Sequence, residues 1–317
     1  MGKVRSVHYS GIGGMAVMDG VMMRNKDKYA IAIRQPDGHI SLKVESWHSF
    51  FEGSVLLKLP FIRGIFAFID SMRLSFRCMG EGVLQSEEAP ESARRGSKKT
   101  KEKSSFSKFM DQVATGGMFV LSFLMAVALF ILFPYFVARY LTVLIRSEAL
   151  LSLVEGILRI IIFVLYILLI SRLKDIRTMF CYHGAEHKCI NCIESGLELT
   201  VENVRKSSKL HKRCGSSFIL FVMLVSIVLF FFIRVDSVFL RLLLRILLLP
   251  VISGIAYELI RLAGRYDNAF VRLLSAPGFA MQGLTTKEPD DEMIEVGIES
   301  VEAVFDWRAY RHDIFGV

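Results

Sequence analysis

From Gly116 to Ala138 the chain runs for 23 residues without a charged side chain. An α-helix rises about 1.5 Å per residue, so a run of this length covers the roughly 30 Å apolar core of a bilayer. Three more runs follow. Ala149 to Ile170 is interrupted only by Glu155 and Arg159, Ser217 to Ile233 is at the short limit, and Ile246 to Gly264 carries Glu258 and Arg261 near its end. Backbone in lipid must satisfy its own hydrogen bonds, so these runs are expected to be helices. The expected fold is a mostly α membrane protein: four transmembrane helices and a small cytoplasmic α/β module at the N-terminus. Hydrophobic residues make up 53% of the chain and mean hydropathy is +0.45. Those values exclude a disordered chain, a collagen-like chain and a small disulfide scaffold.

Lys and Arg set the orientation. Seven basic residues lie in Glu91 to Lys108, before the first run, and nine lie in Ser171 to Ser216, between the second and third. The loops after the first and third runs hold only Arg139 and Arg146, and Arg234, Arg241 and Arg245. Both termini and the central segment are therefore expected in the cytoplasm of a bacterial cell, with the chain multi-pass in the inner membrane. The net charge of +8 belongs to these loops, and no nucleic-acid partner is expected. No apolar signal-peptide core is visible before Met15. Five Cys, four of them between Cys181 and Cys214, suggest thiols or metal ligands more than disulfides.

Four regions follow from this reading. Residues 1–80 form a cytoplasmic module. Within it, Tyr29–Arg34 and Ile40–Glu45 alternate apolar and polar around Pro36-Asp37-Gly38, which predicts a β-hairpin. Pro60 to Met79 carries Arg63, Asp70, Arg73 and Arg77 at helical spacing, which predicts an amphipathic helix, either covering the hairpin or lying on lipid. Residues 81–108 are a basic linker rich in Ser, Lys, Arg and Glu. Residues 109–265 hold the four spans with the cytoplasmic segment 171–216. Residues 266–317 are a cytoplasmic helical tail, in which Pro289-Asp290-Asp291-Glu292 opens a helix.

The strongest chemical signal is Tyr182-His183-Gly184-Ala185-Glu186-His187-Lys188. On a helix, His183 and His187 lie one turn apart on one face and can offer two imidazoles to a metal. The order H-x-x-E-H is that of the inverzincins, in which both His bind zinc and the Glu handles the proton of water. A metal needs a third ligand. His211 and Cys214 precede the third span, so the chain returns to the membrane surface near where it left it. Glu258, on the fourth span, is a remoter alternative. A closed Cys₃His knot from Cys189, Cys192, His211 and Cys214 is the structural alternative, and buried thiols without a metal are the plainest one.

Glu155 and Arg159, at i,i+4 inside the second span, are expected to pair; a polar cavity or substrate path is the functional alternative. The run Gly11 to Arg24 is rich in Gly and Met and completes no phosphate-binding fingerprint. Its Met residues suit adaptable packing, and its glycines suit close backbone approach.

Together, Gly13–Arg24, His183–Lys188, Leu199–Val204, His211–Phe218, Ala256–Arg265 and Leu284–Asp291 resemble the YqhQ-like bacterial membrane proteins of unknown function, DUF1385. The resemblance runs from residue 13 to about 300 and implies topology rather than activity. It places Asp19 where the family tends to have Glu and Met15 where it often has Gln. Many members lack Cys at positions 189 and 192, which favours His183, Glu186, His187, His211 and Cys214 as the working set. Asp19 and Arg24 are then expected to fold over that set from the cytoplasmic side.

The function expected is that of a zinc-dependent hydrolase at the membrane surface, with peptide bonds one possible substrate. His183 and His187 bind zinc, His211 or Glu258 completes the site, and Glu186 is the general base. The alternatives are a non-enzymatic assembly scaffold with a structural metal site, or a small transporter using Glu155, Arg159 and Glu258. Membrane lipid is the expected partner, with a homo-oligomer open.

Overall fold

The computed structural model describes residues 8–87 except 52, and residues 117–316 except 118, 119, 234, 236 and 267. Most of the basic linker expected over 81–108, and the start of the first apolar run, lie outside them. The described chain is mostly helical with one small antiparallel sheet. It divides into two compact units. The first comprises the described parts of Met1–Ala89, Ile167–Val222 and Leu242–Val317, and the second those of Pro90–Tyr166 and Met223–Arg241.

The sheet of the first unit is a meander of four strands: β1 Gly13–Val17, β2 Gly20–Asn25, β3 Lys28–Arg34 and β4 Ile40–Ser46. The hairpin expected around Pro36-Asp37-Gly38 is β3–β4, with Arg34 paired to Ile40 and Tyr29 to Glu45. The Gly/Met run is a second hairpin, β1–β2, turning through Met18 and Asp19, with Asp19 at φ 52°. Alternation is a poor guide to it because β2 and β3 are buried on both faces. Val21, Met23 and Ala32 join one core with Tyr182, Ile190 and Ile294. Met22, Tyr29, Ile31 and Ile33 join another with Leu74 and Cys78.

Helix α1, Ile62–Glu87, supplies the second core, as an amphipathic helix should. It runs past Met79 into the stretch expected as linker. Its outer face keeps Phe68, Ile69, Met72 and Phe76 exposed. Near its start, Gly64 lies against Tyr257, and Gly254 lies against the carbonyl of Phe61.

Four helices are long and apolar enough to cross a membrane: α2 Val120–Val143, α3 Glu148–Ile170, α6 Gly215–Phe232, and the Leu243–Arg265 part of α7, itself Val238–Arg265. Each overlaps one of the expected spans to within a few residues at either end. Within the second unit, α2 loosens into a π-helical stretch at Ala128–Leu132. There the Phe130 carbonyl accepts from Arg159 Nε at 3.1 Å, while Arg159 pairs with buried Glu155 at 2.9 Å. The pair is mutually satisfied, as buried charge in such a segment requires.

Between α3 and α6 the chain forms α4 Lys174–Glu194 and the short α5 Val201–Lys206. After α7 come α8 Ala269–Thr285, α9 Asp291–Glu302 and α10 Trp307–Phe315. Helix α9 starts as its sequence predicts: Asp290 accepts from the Met293 amide, and Asp291 and Glu292 fill the first turn. Helices α4 and α9 pack side by side, α4 against β1 and β2 and α9 against β2 and β3. Gly297 lets α9 approach Cys189 of α4.

Candidate metal centre

The site is built on α4, within the first unit. Its helical period puts His183, Glu186 and His187 on one face, and the rings of the two His are 4.4 Å apart between centroids. Each imidazole is aimed by a backbone carbonyl far away in sequence. His183 Nδ1 lies 2.9 Å from the carbonyl of Thr285, the last residue of α8. His187 Nδ1 lies 2.7 Å from the carbonyl of Lys209. A carbonyl only accepts, so both Nδ1 atoms carry the proton and each Nε2 presents its lone pair. This is how metal-ligating imidazoles are normally oriented.

Cys214, immediately before α6, brings its Sγ to 3.3 Å from His183 Nε2. The Ser216 amide donates to the sulfur at 3.4 Å, and Thr285 Oγ1 donates to Ser216 Oγ at 3.1 Å. One donor atom from each of His183, His187 and Cys214 lies within 4.8 Å of the other two. Two imidazoles and one thiolate are a donor set that suits zinc, with a fourth position left over. The residues present fit that ion.

Glu186 is buried beside them, and its Oε2 has no hydrogen-bond partner. Burial pushes its carboxyl up to about 7, opposed by the nearby His183. A Cβ on Gly14 of β1 would stand 2.9 Å from Glu186 Cγ, so glycine is what lets the strand reach the helix. A cavity of about 730 Å³ opens here, lined among others by Gly13, Gly14, Arg24, His183, Glu186 and Cys214.

Two of the expected ligands are used otherwise. His211 is buried, held by its own backbone, whose N–H and carbonyl pair with the Gln282 side chain at 2.8 Å each. Its ring lies 5.6 Å from that of His187, but its Nε2 faces Glu194 Oε2 at 3.6 Å and Arg213 at 3.3 Å. Burial depresses its pKa to about 4, with the Arg213 charge helping and Glu194 opposing. Glu258 accepts both Nε and Nη2 of Arg63, at 2.6 and 2.5 Å, and the Phe61 amide at 3.3 Å. Among the described residues the group that converges is therefore His183, His187 and Cys214, without His211 or Glu258.

The Cys₃His knot does not form. Cys189 and Cys192 are free thiols in the core, and burial raises both, Cys192 to about 11. Arg24 lines the cavity, whereas Asp19 sits in the β1–β2 turn and is not among the lining residues. Glu155 and Arg159 belong to the second unit.

One cluster has no signature in the sequence. Glu194, at the end of α4, accepts Ser10 N at 3.0 Å and Ser10 Oγ at 2.9 Å and pairs with Arg213. Burial works to raise its pKa, but the hydrogen bond from His211 and the charge of Arg213 hold it below the usual carboxylate range.

A family model described as "Protein of unknown function (DUF1385)" matches residues 59–307. The "Uncharacterized protein YqhQ" of Bacillus subtilis (strain 168) is 38% identical over 295 residues, covering 91% of this chain and 90% of that protein. No solved structure matches.

Proposed function

This chain belongs to the DUF1385 family, and for it we propose the function of a zinc-dependent hydrolase working at the cytoplasmic surface of the bacterial inner membrane. One observation carries this: three donor atoms converge within 4.8 Å, with both imidazoles turned inward by backbone carbonyls, on the wall of an open cavity. A knot that served only the fold would close its coordination with a fourth protein ligand. Among the described residues the group of donors stops at three. Zinc held there would supply Lewis-acid chemistry and a water acidified toward neutrality.

The chain's own residues do the rest. His183 and His187 present Nε2, Cys214 presents Sγ, and the Thr285 and Lys209 carbonyls keep the rings from turning. Glu186 Oε2, unpartnered and one residue from His187, accepts the proton of the attacking water. The four apolar helices and the Lys/Arg distribution support multi-pass insertion with both termini cytoplasmic.

Elemental analysis of the full chain, purified in detergent without chelators, tests the metal. About one zinc per chain is expected, with His183→Ala and Cys214→Ser both losing it. Glu186→Gln is expected to keep zinc and to lose roughly 10²–10⁴-fold in hydrolysis of fluorescently labelled casein. A metal-free wild type ends this reading. A Glu186→Gln variant as active as wild type in vivo returns the site to a structural role in an assembly scaffold.

A further inference from the structure

The two edges of the sheet are treated differently. Edge strand β4 carries Lys43 and Glu45, ion-paired to each other at 2.8 Å, which is how natural sheets discourage a further strand. Edge strand β1 carries only Gly13, Gly14, Met15, Ala16 and Val17, with no charge and no Pro. Its Gly13–Ala16 part lines the cavity of the metal centre.

The register identifies which backbone groups are open. Gly14 pairs with Met23, Met15 with Met22, and Ala16 with Val21. A Cβ on Gly14 would lie 2.7 Å from the Met22 carbonyl oxygen, so Met22 directs its carbonyl at β1. Bonded and non-bonded pairs alternate in an antiparallel ladder, so Met15–Met22 is bonded and its neighbours are not. The N–H and C=O of Gly14 and Ala16 therefore point away from β2, and both residues line the cavity. Among the described residues no backbone hydrogen bond from elsewhere reaches them. Open strand groups of this kind are what an extended peptide pairs with when it adds to a sheet.

We propose that the substrate is an extended polypeptide segment that adds as a fifth strand to the open edge of β1, its backbone paired with Gly14 and Ala16 and one carbonyl presented to the His183, His187 and Cys214 centre. This rests on the hydrolase reading and names its substrate class. Gly14 lies against Glu186, so a strand beside β1 runs past the acceptor of the proton. In hydrolysis the water oxygen bonds to the carbonyl carbon and the C–N bond breaks. Glu186 Oε2 takes one proton from water and passes it to the departing nitrogen, leaving an acid and an amine that ionise at neutral pH. Main-chain pairing makes binding tolerant of sequence, with selectivity left to the alternate side chains.

The test separates binding from turnover. Full-length, zinc-loaded Glu186→Gln protein in detergent is mixed with a peptic digest of casein, and amide exchange over residues 11–17 is followed by mass spectrometry. At least tenfold slower exchange at Gly14 and Ala16 is expected. Exchange unchanged at millimolar total peptide, with zinc still bound, overturns the proposal while leaving the metal reading intact. Loss of zinc from the wild type fails the reading beneath it instead. Ala16→Pro removes one outward N–H from an edge strand, where Pro is tolerated. It is expected to hold zinc and retain at least tenfold less peptide; equal retention overturns the proposal.

Discussion

The buried imidazole of His211 and the buried carboxylate of Glu194 both make the first unit sensitive to acid. His211 titrates near 4 in the fold and near 6.5 when unfolded, so between those values the unfolded chain binds the extra proton. The His211 contribution to stability is whole above pH 6.5 and drains away as pH falls toward 4. Glu194, with its pKa lowered, adds loss in the same direction, beginning below the unfolded carboxylate pKa and completed as pH falls through the folded one. Glu186, raised to about 7, works in the opposite direction over much of that range, so the His211 contribution is read as a difference: between pH 6.5 and 4 the melting temperature of His211→Gln in detergent should lose less, or gain more, than that of the wild type. Gly184 marks another limit. A Cβ there would lie 2.0 Å from the Lys287 carbonyl oxygen, backbone that has nowhere to go because the Lys287 amide is bonded to Phe180. Gly184→Ala should cost about 1–3 kcal/mol and several degrees of melting temperature, and it should weaken zinc binding through the neighbouring His183.

Among the elements, α1 and α7 meet at one close junction. Gly254 of α7 meets the Phe61 carbonyl, Gly64 of α1 meets Tyr257, and the Arg63–Glu258 pair closes the same junction. Gly254→Leu should lift the start of α1 away and speed its cleavage by an added protease. In a double-mutant cycle, Arg63→Ala and Glu258→Ala should couple by roughly 0.5–3 kcal/mol, read from unfolding in detergent. The sheet shows why some strands are legible and others are not. Hairpin β3–β4 declares itself through Pro36-Asp37-Gly38 and the half-exposed β4. Hairpin β1–β2 does not, because β2 is covered on both sides and β1 is glycine-rich.

At the scale of the whole molecule, metal occupancy and thiol reactivity are linked. With zinc bound, Cys214 should resist a maleimide; after chelation it should become the thiol whose labelling rises most. Cys78, Cys189 and Cys192, packed in apolar cores, should stay slow in both states. Peptide mapping by mass spectrometry reads this directly, and equal labelling of Cys214 in both states argues against a metal thiolate.

What the amino-acid order alone determined is local: four apolar helices, one hairpin, two amphipathic helices, and a His pair on one helical face. Each follows from residues within a few turns of one another, where period and charge leave few choices. The order of residues left the third donor open among His211, Cys214 and Glu258, because all three are distant from His187 in the chain and only packing sets such distances. Tertiary structure brings Cys214 to the His pair, while Arg63 claims Glu258 and Glu194 and Arg213 face the His211 ring. It also aimed the two imidazoles through carbonyls at Lys209 and Thr285, and it brought a bare strand edge beside Glu186. Backbone groups carry no residue identity, so no reading of side chains finds them until the chain has folded.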